Sequence, residues 1–337
     1  MPSMKILITG GAGFIGYHLT KHLLHDSDAE LVVVDNLFRP GGMDRELTEL
    51  FKDPRITFKQ MDLTDARAYE QLGGGYEHVY HLASINGTRL FYEMPHEVLR
   101  VNTLTLIYLL EWLIKNNKNG KLLLTSSNEA YAGALEAFGK LPLPTPEKVP
   151  LVIADPYNAR WTYGGAKIIN ELFLIHYAQH FNFRGLIVRP HNFYGPRDAK
   201  DHVVPDFLAR IMERVDPFPI YGADNTRDFC YITDAVRAMT MLMNSSKTDA
   251  QPIETVHIGN SDEISMQGLA DKMFECTGWR PENVLIKEAP PGSVKRRRAD
   301  TSKLRGLIDW KPEVSLEEGL LKTYEWYQTQ PKHDKKQ

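Results

Sequence analysis

Seven residues near the start of the chain constrain its fold more than any other stretch. Gly10-Gly11-Ala12-Gly13-Phe14-Ile15-Gly16 follows a short apolar run, Lys5 to Thr9, and opens a helical pattern from about Phe14 to Leu24. Glycines at this spacing let a strand turn sharply into a helix. They also let a pyrophosphate approach the free N–H groups at the helix N-terminus. Asp35 ends the next β-branched run, Leu31 to Asp35. A carboxylate there can bind ribose hydroxyls and repels a 2′-phosphate, so the pattern predicts NAD rather than NADP, a preference that Arg39 nearby can soften. A bare glycine turn occurs in many α/β proteins. The strand before it, the helix after it and the acid beyond make this one specific.

The first half goes on alternating strands and helices. Ile56 to Gln60, His78 to Leu82, Lys121 to Thr125 and Gly185 to Arg189 read as strands, and Val98 to Lys115 and Ile168 to His180 as helices. Short apolar strands separated by helices predict an α/β fold, a Rossmann doubly wound parallel sheet covered on both faces. The second half is less regular. Pro142 to Pro156 reads as a loop, and Leu208 to Val215 and Met266 to Thr277 as helices. The expected organisation is an NAD-binding domain over residues 1–190 plus about 228–258. A smaller mixed α/β substrate lobe takes about 191–227 and 259–330, and the polar tail 331–337 is expected to be mobile.

Bulk properties exclude several classes. A net charge of −3 gives no general attraction to nucleic acid or to anionic membrane. Cys230 and Cys276 form no CxxC or zinc spacing and fit a reducing compartment. The N-terminal apolar run is too short for a signal segment, and no stretch approaches a membrane span, so a cytoplasmic location is expected. His18, His22 and His25 share a helix without supporting carboxylates or cysteines. They are read as helix-surface residues, and no metal is expected.

Tyr163-Gly164-Gly165-Ala166-Lys167 places a phenol and an ammonium one helical turn apart on the same face. A free tyrosine, with a pKa near 10, is a poor base at neutral pH. A lysine and a positively charged nicotinamide favour its phenolate, which can take a hydroxyl proton as hydride leaves. Ser127, just past the Lys121 to Thr125 strand, can hydrogen-bond the same oxygen. An isolated YxxxK is common by chance; the glycine turn, Asp35 and Ser126-Ser127 in this order give it weight.

With these residues in place, the chain resembles the extended short-chain dehydrogenase/reductases, specifically the sugar-nucleotide epimerases, dehydratases and decarboxylases. The resemblance runs from about Lys5 to Tyr327. It also includes Met61-Asp62-Leu63, His81-Leu82-Ala83-Ser84, Val101-Asn102-Thr103, the run from Arg189 to Arg197, the run from Arg227 to Asp234, and Ala299-Asp300-Thr301-Ser302-Lys303. It implies that Gly10, Gly13, Phe14, Ile15 and Gly16 hold the dinucleotide together with Asp35 and Asn36. Asp62 and Leu63 would flank the adenine, and Leu82, Ala83 and Ser84 would line the ribose and phosphate. Asn102 would support the active-site helix, and Pro190 and His191 would face the nicotinamide beside Tyr163 and Lys167. On the substrate side it implies Thr88, Arg160, Asn192, Val204, Arg227 and Arg297, with Asn192 and Arg227 toward the diphosphate.

The family's shared first step is oxidation at C4 of a nucleotide-diphosphate hexose. Glu129, in Ser127-Asn128-Glu129, stands where dehydratases and uronate decarboxylases carry glutamate, and it is expected to act near C5. Asn128 departs from the aspartic acid of deoxythymidine-diphosphate-glucose dehydratases. Arg160-Trp161-Thr162-Tyr163 and Arg297 resemble uridine-diphosphate-glucuronate decarboxylases, whereas Phe91 replaces a tyrosine common in them. The basic run Lys295 to Arg298 also reads as a solvated charge run or a diphosphate clamp. Epimerase/dehydratase chemistry leads, UDP-glucuronate decarboxylation is the alternative, and a non-catalytic NAD-binding regulator is the reading from another class. The resemblance also implies a homodimer.

Overall fold

β-branched and leucine side chains fill the predicted strands, and alternate residues of each strand enter different cores. In β1 (Lys5–Thr9) Leu7 packs into one apolar cluster, while Ile6 and Ile8 pack into another on the opposite face. In β5 (Lys121–Thr125) Leu122 and Leu124 enter the first cluster and Leu123 the second. Burial on both faces is what makes these strands read as continuous apolar runs rather than as an alternation. The computed structural model describes residues 3–39, 41–289 and 293–330. The predicted mobile tail, 331–337, lies outside them.

The strands β2 (Glu30–Asp35), β3 (Ile56–Gln60), β4 (His78–His81) and β6 (Gly185–Pro190) join β1 and β5 in one sheet, with a seventh strand at Ile253–Ile258. Their order is β3-β2-β1-β4-β5-β6-seventh, and every pairing is parallel. The strand order reverses direction between β1 and β4, and ligands of such sheets bind at the carboxyl ends on either side of that switch. Thr9, which pairs with His81, marks the spot.

The later segments build a smaller group of elements over those ends. A three-stranded sheet joins Glu263–Ser265, Thr226–Asp228 and Arg296–Arg297, and a two-stranded one joins Phe218–Tyr221 and Val284–Lys287. Helices Val203–Met212, Met266–Thr277 and Leu316–Thr329 accompany them. Two helices differ most from expectation in their boundaries. The helix read at Leu208 to Val215 runs from Val203 to Met212. The one read from Ile168 begins at Trp161, because Gly164 and Gly165 hide its first turns from a propensity argument. The histidines of the first helix also differ: only His25 is surface-exposed, while His18 bonds the Pro196 carbonyl and His22 the Thr240 hydroxyl.

Among the described residues no helix is long and apolar enough to cross a membrane, and no cluster of side chains could hold a metal.

Candidate active site

One cleft of about 760 Å³ runs across the carboxyl ends of β1, β2, β4, β5 and β6. It begins at the glycine turn. A Cβ on Gly16 would lie 2.3 Å from the Gly10 carbonyl and 2.5 Å from the Gly11 Cα, so the turn closes only with glycine there. Asp35 braces the turn: Oδ2 accepts from the Ala12 N–H at 3.0 Å and Oδ1 from the Leu37 N–H at 2.8 Å. Ser84 Oγ, also lining the cleft, is buried near the Tyr163 phenol and makes no hydrogen bond of good geometry within the protein. The cradle and this hydroxyl fit a dinucleotide with its ribose and phosphates along the turn. Gly16→Ala is expected to lower NAD affinity more than about tenfold and stability by about 1–3 kcal/mol. Nucleotide content after purification and urea unfolding check both.

Helix Trp161–Phe181 brings in Tyr163 and Lys167. It can approach helix Glu129–Phe138 because Gly164 lacks a side chain: a Cβ there would sit 2.8 Å from the Glu129 carbonyl. Tyr163 stacks on Phe91 with ring centroids 5.0 Å apart. Lys167 Nζ stands 5.3 Å from the Tyr163 ring centroid and donates to the Thr125 carbonyl at 2.9 Å. Burial pushes the phenol well above its ordinary range, the Glu129 carboxylate adds to this, and the Ser127 hydroxyl works against both. Burial also brings Lys167 down to about 8, opposed by Glu171. The lysine therefore stays mostly an ammonium at neutral pH, by a narrow margin. Within the protein alone, desolvation is the largest effect on the phenol.

Three arginines converge beyond Tyr163. Arg296–Arg297 pairs with Thr226–Asp228 so that Arg297 lies beside Arg227 in register, and like charges placed so repel. Glu129 offsets them: Arg297 Nη2 is 2.6 Å from Oε1, and Arg160 Nη2 is 3.2 Å from Oε2. Burial alone would raise the Glu129 carboxyl, but Arg297 and Arg160 hold it below the usual range. Burial and Arg297 pull Arg227 down to about 9, which still leaves it charged at neutral pH. Three cations around one carboxylate leave this end of the cleft suited to an anionic ligand. Asn128 Oδ1 accepts from Arg297 Nη1 at 3.4 Å.

Ser127, Glu129, Tyr163, Lys167, Thr88, Arg160, Asn192, Val204, Arg227 and Arg297 all line this cleft, as do Gly10, Gly13, Phe14, Ile15, Gly16, Asp35, Asn36, Asp62, Leu63, Leu82, Ala83, Ser84 and Pro190. Two of the expected residues stand behind it. His191 is turned into the core, its Nε2 2.6 Å from the Tyr131 hydroxyl and its Nδ1 3.1 Å from Asp228. It orders the strand end rather than facing a ligand. Asn102 clamps the backbone of Ile85, accepting from its N–H at 2.7 Å and donating to its carbonyl at 3.1 Å. Sequence reasoning missed Asp198 and His202, which also line the cleft with Nδ1 2.7 Å from Oδ1. They lie in the turn that leads into helix Val203–Met212, where no periodic pattern signals a pairing. Asp198 holds the His202 imidazole above its usual range, against burial.

The model of the NAD dependent epimerase/dehydratase family matches residues 6–259. UDP-glucuronic acid decarboxylase 3 of Arabidopsis thaliana is 30% identical over 322 residues, covering 95% of this chain and 87% of the relative. UDP-N-acetyl-alpha-D-glucosaminuronate decarboxylase of Bacillus cytotoxicus is 30% identical over 336 residues, covering 96% and 97%. The solved structure of UDP-glucuronic acid 4-epimerase from Bacillus cereus, in complex with UDP-glucuronic acid and NAD, aligns with a TM-score of 0.81 at 26% identity, covering 96% of this chain and 99% of that one.

Proposed function

The chain belongs to the NAD-dependent epimerase/dehydratase family, with NAD as its cofactor, and we propose that it transiently oxidises C4 of a nucleotide-diphosphate hexose. The observation that carries this reading is the meeting, in one cleft, of the glycine turn, the Ser127–Tyr163–Lys167 group and the three-arginine end. Bound NAD supplies the hydride acceptor for C4 and a positive charge beside the phenol. Tyr163 takes the C4 hydroxyl proton, Ser127 hydrogen-bonds the same oxygen, and Lys167 stabilises the phenolate. Arg227 and Asn192 hold the diphosphate side. The resulting 4-ketone acidifies the hydrogens on C3 and C5. Glu129 stands near C5, held ionised between Arg160 and Arg297. The complete proton-transfer group sets aside a purely regulatory role.

The Arg160–Glu129–Arg297 cluster also favours a second reading, UDP-glucuronate decarboxylation. A C5 carboxylate would find guanidinium partners there, and the 4-ketone would serve as electron sink when CO₂ leaves. Asn128 weighs against the deoxythymidine-diphosphate-glucose type of dehydration, since an amide does not protonate a leaving hydroxyl. We propose a homodimer as well, through helices Pro95–Asn116 and Trp161–Phe181, on which Leu99, Ile169 and Leu172 are exposed.

A panel of nucleotide sugars including uronates, incubated in deuterated water and followed by mass and proton NMR, tests the readings. An isomer of unchanged formula supports epimerisation, and deuterium at C5 in it marks enolisation. Loss of water supports dehydration, and loss of CO₂ from a uronate supports the second reading. No turnover of any sugar counts against both.

A further inference from the structure

A buried carboxylate that has no part in the steps above lies where the three reacting segments meet. Glu171 follows Lys167 by one helical turn, so Tyr163, Lys167 and Glu171 line one face of helix Trp161–Phe181. Only 2% of its surface is exposed. Oε1 accepts from Ser126 Oγ at 2.5 Å and from Arg189 Nε at 2.8 Å, and Oε2 accepts from Arg189 Nη2 at 2.7 Å. Ser126 directly precedes Ser127, and its N–H donates to the Val188 carbonyl. Arg189 directly precedes Pro190 at the cleft.

We propose that Glu171 is a positioning residue for proton transfer, tying the Ser126–Ser127 turn, the Tyr163–Lys167 helix and the end of β6 into one register, with its carboxylate one helical turn from Lys167. This rests on the roles of Tyr163, Lys167 and Ser127 given above.

The surroundings of Lys167 fit this placement. Lys167 faces Tyr163 and Glu171 on its own helix, the Thr125 carbonyl of β5 and the His81 ring of β4. Burial takes His81 down to about 3, so it is neutral and contributes no charge at working pH. Glu171 faces Lys167, Ser126 and Arg189. Beyond Arg189 lie Glu147 of the proline-rich loop and Tyr131 of helix Glu129–Phe138. Among the described residues, Glu171 is thus the carboxylate that opposes the effect of burial on Lys167.

Two variants of the NAD-loaded protein test this. Ser126→Ala removes one arm and leaves the Glu171–Arg189 pair intact. Its kcat is expected to fall by about tenfold at unchanged KM. Glu171→Gln keeps the shape and removes the charge. The alkaline limb of its kcat profile is expected to move to lower pH by about one unit. NMR of lysine-labelled protein, with Lys167→Met for assignment, should show the Lys167 titration moving the same way. That titration needs no substrate, so it reports on Glu171 even if every sugar in the panel is inert. An unmoved Lys167 titration, or wild-type kcat in Ser126→Ala, overturns the proposal. If Glu171→Gln does not fold, Ser126→Ala decides it.

Discussion

Tyr163→Phe is expected to lower turnover by about 10³-fold while leaving NAD binding and the fold in place. The ring packs face to face on Phe91 and is buried, so a phenylalanine occupies the same space. What disappears is the oxygen proposed to take and return the C4 proton, and positioned acid–base groups contribute about 10²–10⁴ in rate. Lys167 is no ready substitute, because it is committed to the Thr125 carbonyl. Single-turnover measurement of cofactor reduction, with NAD content and circular dichroism as controls, checks the expectation. Turnover within about tenfold of wild type would sink the proposed proton path.

Arg189→Met is expected to destabilise the protein by about 3–5 kcal/mol, the usual cost of leaving a buried charge without its partner. Arg189 and Glu171 are 5% and 2% exposed and share two charge-assisted hydrogen bonds, so removing the guanidinium strands an ionised carboxylate away from water. The double variant Arg189→Met/Glu171→Leu should recover most of the loss, since apolar replacement of a whole buried pair is often neutral. Urea midpoints of wild type, single and double variants measure this. A single variant as stable as wild type would mean that water reaches Glu171.

Much of this was legible because it is local. The glycine turn, Asp35 and the Tyr163–Lys167 pair are short-range patterns, and each needs only a strand, a turn or one helical repeat to be in place. What escaped reading depends on pairing between distant segments. Nothing near Arg297 announces that it lies beside Arg227, since that follows from a parallel register between two short strands. Glu171 and Arg189 sit on a helix and a strand whose facing is decided by packing. His191 lies between Pro190 and Asn192 in sequence, yet successive residues at a strand end point oppositely, these two to the cleft and His191 to the core. The helix start at Trp161 was obscured for a related reason. Gly164 and Gly165 are poor helix formers, and close contacts to Glu129 and Ile153 outweigh that local cost.

The bridge from Glu129 to Arg160 and Arg297 also bears on selectivity. Glu129 offsets part of the charge of these guanidiniums from within, so an arriving anion meets a well that is already partly filled. It must trade places with, or share, a carboxylate that the protein carries itself, as in an ion exchanger. A weakly held anion such as chloride gains little from such a trade, while a rigid ligand presenting charge at the right spacing gains both partners at once. The internal counterion thereby acts as a threshold that favours a correctly shaped anion over a weakly held one.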